Sequence, residues 1–91
     1  MATHELLIPD HDFERDSISE VEDPLDAELM SSGVGEVTGG GIGHGWYRIG
    51  LELSDPKAGT EIARRIADSL ELPLTTLLRR IGDERGTPLR V

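Results

Sequence analysis

Gly35-Glu36-Val37-Thr38-Gly39-Gly40-Gly41-Ile42-Gly43-His44-Gly45-Trp46-Tyr47-Arg48-Ile49-Gly50-Leu51-Glu52-Leu53-Ser54 is dense in glycine in its first half and alternates in its second. Side chains of a strand point to opposite faces in turn, so Tyr47, Ile49, Leu51 and Leu53 share one face while Arg48 and Glu52 share the other. This pattern predicts a half-buried antiparallel strand. Glu36 to Gly41 is expected to pair with it as a hairpin, the glycines supplying a bulge or a loose turn near Gly43 to Gly45.

Helices are expected on both sides of this hairpin. Glu22-Asp23-Pro24-Leu25-Asp26 reads as a helix start: Asp23 accepts free N–H groups of the first turn, Pro24 needs no donor at the first helical position, and Asp26 favours the positive dipole end. Leu25 and Leu29 then lie one turn apart, Gly33 is placed as the left-handed residue past the end, and Val34 folds back on Leu29. Asp55-Pro56 repeats the start signal and opens a helix with an apolar stripe of Ala58, Ile62, Ala63, Ile66, Ala67 and Leu70, bounded by Pro73. Thr75 to Ile81 is β-rich, Gly82 to Gly86 is a turn, and Thr87 to Val91 is an optional last strand.

Two segments compete for the first strand. Thr3 to Pro9 holds the short run Leu6-Leu7-Ile8, and Ser17-Ile18-Ser19-Glu20-Val21 alternates more cleanly; the residues between are turn-like and charged. Residues 1–16 are expected to form an acidic, flexible N-terminal arm, and residues 17–91 a single α+β domain. Strand, helix, strand, strand, helix, strand is the resulting order. An antiparallel sheet with two helices on one face, the ferredoxin-like split βαβ arrangement, is its simplest solution.

The run Gly33-Val34-Gly35-Glu36-Val37-Thr38-Gly39-Gly40-Gly41-Ile42-Gly43, with an alternating strand and an amphipathic helix behind it, resembles a group of short uncharacterised bacterial α+β proteins with the same glycine-rich hairpin. The resemblance covers roughly Leu25 to Leu78. Its motif is a glycine pattern, so it implies a fold and no functional residue.

The chain has 91 residues and a formal net charge of −9, and residues 1–30 hold ten acids against one base, Arg15. An acidic first third repels phosphate backbones, which argues against a nucleic-acid partner and leaves a basic protein as the complementary one. Without cysteine there is neither a disulfide framework nor a thiolate zinc site, so the cytoplasm is the expected compartment. No apolar run approaches the length of a membrane span, and no membrane partner is expected. A core this small, with one Phe, one Trp and one Tyr, invites help from a second copy, and a homodimer is expected. Thr75 to Ile81 is the favoured edge for that pairing because its side chains can pack; Glu36 to Gly41 is the other.

Chemistry-bearing residues are few. Gly43, His44, Gly45 and Trp46 form the candidate binding loop, and His44, left accessible by its glycine neighbours and followed by Trp46 and Tyr47, is the candidate catalytic residue, as an acid or base. The glycines do not make a phosphate loop: the sixth position of a G-x-G-x-x-G pattern begun at Gly39 is His44, and of one begun at Gly33 it is Thr38. Asp10-His11-Asp12 with Glu14 and Asp16 has oxygen and imidazole ligands but not the spacing of a calcium loop or a helical zinc pair, so no metal and no cofactor are expected. Arg64, Arg65, Arg79, Arg80, Arg85 and Arg90 cannot all join one patch, because neighbours on a strand point apart. A non-enzymatic, self-associating interaction module is the leading expectation; a small enzyme or ligand-binding protein built on His44 and the glycine loop is the alternative.

Overall fold

The structure, a computed structural model, describes residues 2–10, 18–83 and 85–90. Strands β1 (Ala2–Pro9), β2 (Gly35–Gly43), β3 (Trp46–Leu53), β4 (Leu77–Arg80) and β5 (Thr87–Pro88) alternate with helices α1 (Ile18–Ser31), after β1, and α2 (Pro56–Ser69), after β3. They form one five-stranded sheet in the order β2-β3-β1-β4-β5, with every neighbouring pair antiparallel. This is an α+β architecture. Among the described residues no helix is long and apolar enough to cross a membrane.

The largest departure from expectation is the N-terminus. Ala2–Pro9 is the middle strand of the sheet, pairing with β3 from Ala2↔Leu53 to Pro9↔Trp46 and with β4 from His4↔Arg80 to Leu7↔Leu77. Residues 2–9 of the expected arm thus form a strand of the sheet; residues 11–16, with the expectation of mobility and the Asp10-His11-Asp12 ligand cluster beyond Asp10, lie outside the described residues. A strand whose side chains are buried on both faces shows a continuous apolar run rather than alternation. Leu6, Leu7 and Ile8 are 1%, 4% and 0% exposed, so a run that looked too short to anchor a segment is what a buried strand requires.

The competing segment is helical from Ile18 onward, and the expected helix start at Asp23-Pro24 is also overturned: Pro24 lies inside α1. Its missing N–H leaves one helical acceptor without its usual donor, a defect that costs about 3 kcal/mol in a helix interior. Val21, Leu25 and Leu29 recur one turn apart and are all buried, and each contributes roughly 1.5–3 kcal/mol, enough to carry the helix through the proline. The second Asp-Pro behaves as expected: Asp55 caps α2, its Oδ1 accepting the Ala58 N–H at 3.2 Å.

Both helices stop in the same way. Past α1 the N–H of Gly33 donates to Met30 O and that of Val34 to Leu29 O, each at 3.1 Å, with Gly33 at φ 69°. Past α2 the N–H of Glu71 donates to Asp68 O at 3.2 Å and that of Leu72 to Ala67 O at 3.0 Å, with Glu71 at φ 52°. These are paired Schellman closures, one with the glycine the geometry favours and one without it.

One core lies between the helices and the sheet. It joins Leu6 and Ile8 of β1, Tyr47, Ile49, Leu51 and Leu53 of β3, Leu78 of β4, Val21, Leu25 and Leu29 of α1, and Ile62, Ala63 and Ala67 of α2, closed by Leu72 and Leu89. Helix α2 comes close to β3 at Gly59, where a Cβ would stand 2.7 Å from Leu53 Cδ2. In the expected α2 stripe the buried members are Ile62, Ala63 and Ala67, whereas Ile66 is half-buried and Leu70 exposed.

Glu71→Gly is expected to raise stability by roughly 0.5–1 kcal/mol, because glycine takes the left-handed conformation without strain. A lower urea midpoint would contradict that closure. Ile62→Ala is expected to cost roughly 2–5 kcal/mol and Ile66→Ala distinctly less, measured by denaturant melts of the two variants.

Candidate functional site

The β2–β3 hairpin turns at His44-Gly45, with Gly43 paired to Trp46. Both turn residues have positive φ, 55° and 83°, as a type I′ turn demands. Histidine is among the non-glycine residues that tolerate this region best. His44 therefore has a conformational role at the tip of the hairpin. Among the described residues no group of three or more His, Asp and Glu side chains is placed to hold a metal ion.

The hairpin register decides which backbone groups remain open. The Gly45 carbonyl accepts the Asp10 N–H at 2.9 Å, toward β1, and the Ser54 N–H donates to Val34 O at 2.8 Å, toward the β2 side. Hydrogen-bonded and non-bonded pairs alternate along an antiparallel ladder, so Gly43, Gly41 and Gly39 exchange bonds with Trp46, Arg48 and Gly50. Gly40 and Ile42 consequently direct their N–H and C=O groups outward, where among the described residues β2 has no neighbouring strand. A bulge between Val37 and Gly39 shifts the phase once, and the outward N–H of Val37 is taken by Asp26 Oδ1 of α1 at 2.8 Å. The first half of the edge is thus capped by a side chain, and among the described residues the second half is open.

The two faces of β2 differ. Gly39, Gly41 and Gly43 lie on the face away from the helices, none has a positive φ, and a Cβ on any of them would meet nothing within 4 Å. Glycine in a strand interior costs roughly 0.5–1 kcal/mol relative to alanine, and here neither backbone strain nor crowding calls for it. On the helix face, a groove of about 310 Å³ runs between α1 and β2, lined by Ile18, Glu22, Gly40, Gly41, Ile42 and Tyr47. The Glu22 carboxylate overhangs the strand: its Oε1 is 3.5 Å from the position of a Cβ on Gly40. Ile42 is 47% exposed at the rim.

The structure keeps Gly43, His44, Gly45 and Trp46 together as one turn and strand end, but the groove beside them is built from other residues. Thr75 to Ile81, the favoured pairing edge, is corrected: β4 lies between β1 and β5 and is not an edge strand. Among the arginines, Arg79 joins Arg48 around Glu5 on the open sheet face, where Arg79 Nη2 donates to Glu5 Oε1 and Arg48 Nη1 lies 3.7 Å from Oε2. Arg90 instead binds Asp68 Oδ1 at 3.2 Å and the Leu72 carbonyl. The residues missed from the sequence are Glu22 and Asp26. Their signal was the Val21, Leu25, Leu29 spacing, which continues the helix back through Pro24 and puts both acids beside β2.

Comparison with protein-family models, curated proteins and solved structures finds no match for this chain.

The register makes a sharp contrast testable. Proline at Ile42 removes an outward N–H, whereas proline at Gly41 removes a ladder bond to β3 and is expected to cost about 3 kcal/mol or more. Equal losses in thermal melts of the two variants would show that the phase is reversed. Gly41→Thr, in open space, is expected to raise stability by up to about 1 kcal/mol.

Proposed function

We propose that this chain is a non-enzymatic interaction module that takes an extended segment of a partner protein onto the outer edge of β2. The observation carrying this reading is the pair of outward-facing residues Gly40 and Ile42, whose N–H and C=O groups form the start of a ladder on a stretch where Gly39, Gly40, Gly41 and Gly43 carry no side chain. Strand addition draws affinity from such main-chain groups and specificity from the pockets beside them. The conformational role of His44 and its exposed place at the turn speak for this reading over an enzyme built on that histidine.

The homodimer expected from the sequence rested on Thr75 to Ile81 as an edge, and that support is gone. Self-pairing of two β2 edges would bring Glu22, Asp26 and Glu36 of both copies together in a chain of net charge −9, so a different protein is the proposed partner. The absence of cysteine fits action in a reducing cytoplasm. On the same footing we assign the fold to the ferredoxin-like class: the order β4-β1-β3-β2, with helices following β1 and β3, supports it, and β5 is then an added edge strand.

Panning a random peptide library against the wild-type protein, with Ile42→Pro as the counter-target, tests the reading. Sequences held by the wild type and lost on a folded Ile42→Pro protein are expected. Sequences held equally by both, or none at all, would sink strand addition at β2.

A further inference from the structure

We infer that the segment received by β2 carries a lysine or arginine, whose aliphatic stem lies in the groove between α1 and β2 and whose cation meets Glu22. This rests on the strand-addition reading above and adds the chemistry of the partner to it.

Side chains of an added strand alternate between the two faces of the sheet, so every second one is directed to the helix side. Beyond Gly40 and Ile42 on that side lies the groove, with apolar walls from Ile18, Ile42 and Tyr47, a floor of Gly40 and Gly41, and, among the described residues, one charged lining residue, Glu22. Among the described residues no ion pair engages Glu22, and its carboxylate stands over the strand that the partner would join. Apolar walls leading to a single carboxylate match a long side chain that buries its methylenes and keeps its charge at the tip. A purely apolar side chain would strip water from Glu22 and return no partner to it. A carboxylate would meet Glu22, Asp26 and the net negative charge of the chain.

Asp26 also sets a limit on the segment. Because its Oδ1 already accepts the Val37 N–H beside the bulge, the first half of β2 is closed to the ladder at that donor, and among the described residues Gly40 and Ile42 remain to receive it. The recognised stretch is therefore short, and one side chain in the groove carries much of its specificity.

Fluorescence anisotropy with a labelled extended peptide of alternating valine and threonine around a central lysine tests this, beside the same peptide with norleucine or glutamate at the centre. The lysine peptide is expected to bind the wild type, to lose binding on Ile42→Pro, and to weaken roughly tenfold on Glu22→Gln. The norleucine peptide is expected to bind less tightly than lysine and to be indifferent to Glu22→Gln, and the glutamate peptide to bind least. Thermal melts establish that both variants are folded. If lysine and norleucine bind alike, or Glu22→Gln changes nothing while Ile42→Pro still abolishes binding, the cation assignment falls and strand addition stands. If Glu22→Gln abolishes lysine binding but Ile42→Pro does not, the attraction is of charge alone and the inference is overturned. Failure of every peptide to bind overturns the inference together with the reading on which it rests.

Discussion

The pairing of β1 on both of its edges is the constraint on which the rest of the sheet depends. Leu6 stands opposite Ile49 on one side and Leu78 on the other, so one residue ties the hairpin to the C-terminal strands. These contacts join residues far apart in sequence, and their loop-closure entropy is compensated only when the helices cover the same row. Helices α1 and α2 supply that cover, with Leu25, Leu29, Ile62 and Ala63 in the same core as Leu6 and Ile49.

The opposite face of β1 is held together differently. Glu5 is 7% exposed, and its carboxylate lies between the guanidinium groups of Arg79 and Arg48, one from each neighbouring strand. A buried carboxylate is tolerated when it is paired and hydrogen-bonded, and this one spans the three central strands at once. Leu7, beside it at 4% exposure, makes that face partly apolar as well.

Against this well-tied centre, β2 is sparsely furnished. Its glycines at 39, 41 and 43 give up strand stability with no demand from φ or from close packing. A bare strand is accessible to another backbone, which makes it useful for binding and hazardous for uncontrolled pairing. Asp26 limits the hazard by occupying the outward N–H of Val37, and the bulge beside it breaks the phase of the ladder. The open stretch that remains lies beside the groove bearing Glu22, where side-chain selection is possible.

Periodicity by itself determined the hairpin, the burial of Tyr47, Ile49, Leu51 and Leu53, the helix behind Asp55-Pro56, and the closure at Gly33. These depend on local rules: strand alternation, a cap within three residues, and the positive φ that glycine accepts. Tertiary structure alone decided that Leu6-Leu7-Ile8 is the central strand, because burial on both faces erases the alternation by which strands are recognised. It also decided that α1 runs through Pro24, since the cost of a missing donor is set against the burial of Val21 by a sheet the local sequence does not reveal. The candidate site followed the same division. Its glycines were legible as a strand and turn, but their position at the outer edge, and the approach of Glu22 and Asp26 to it, depend on a strand order that arises only when distant segments pack together.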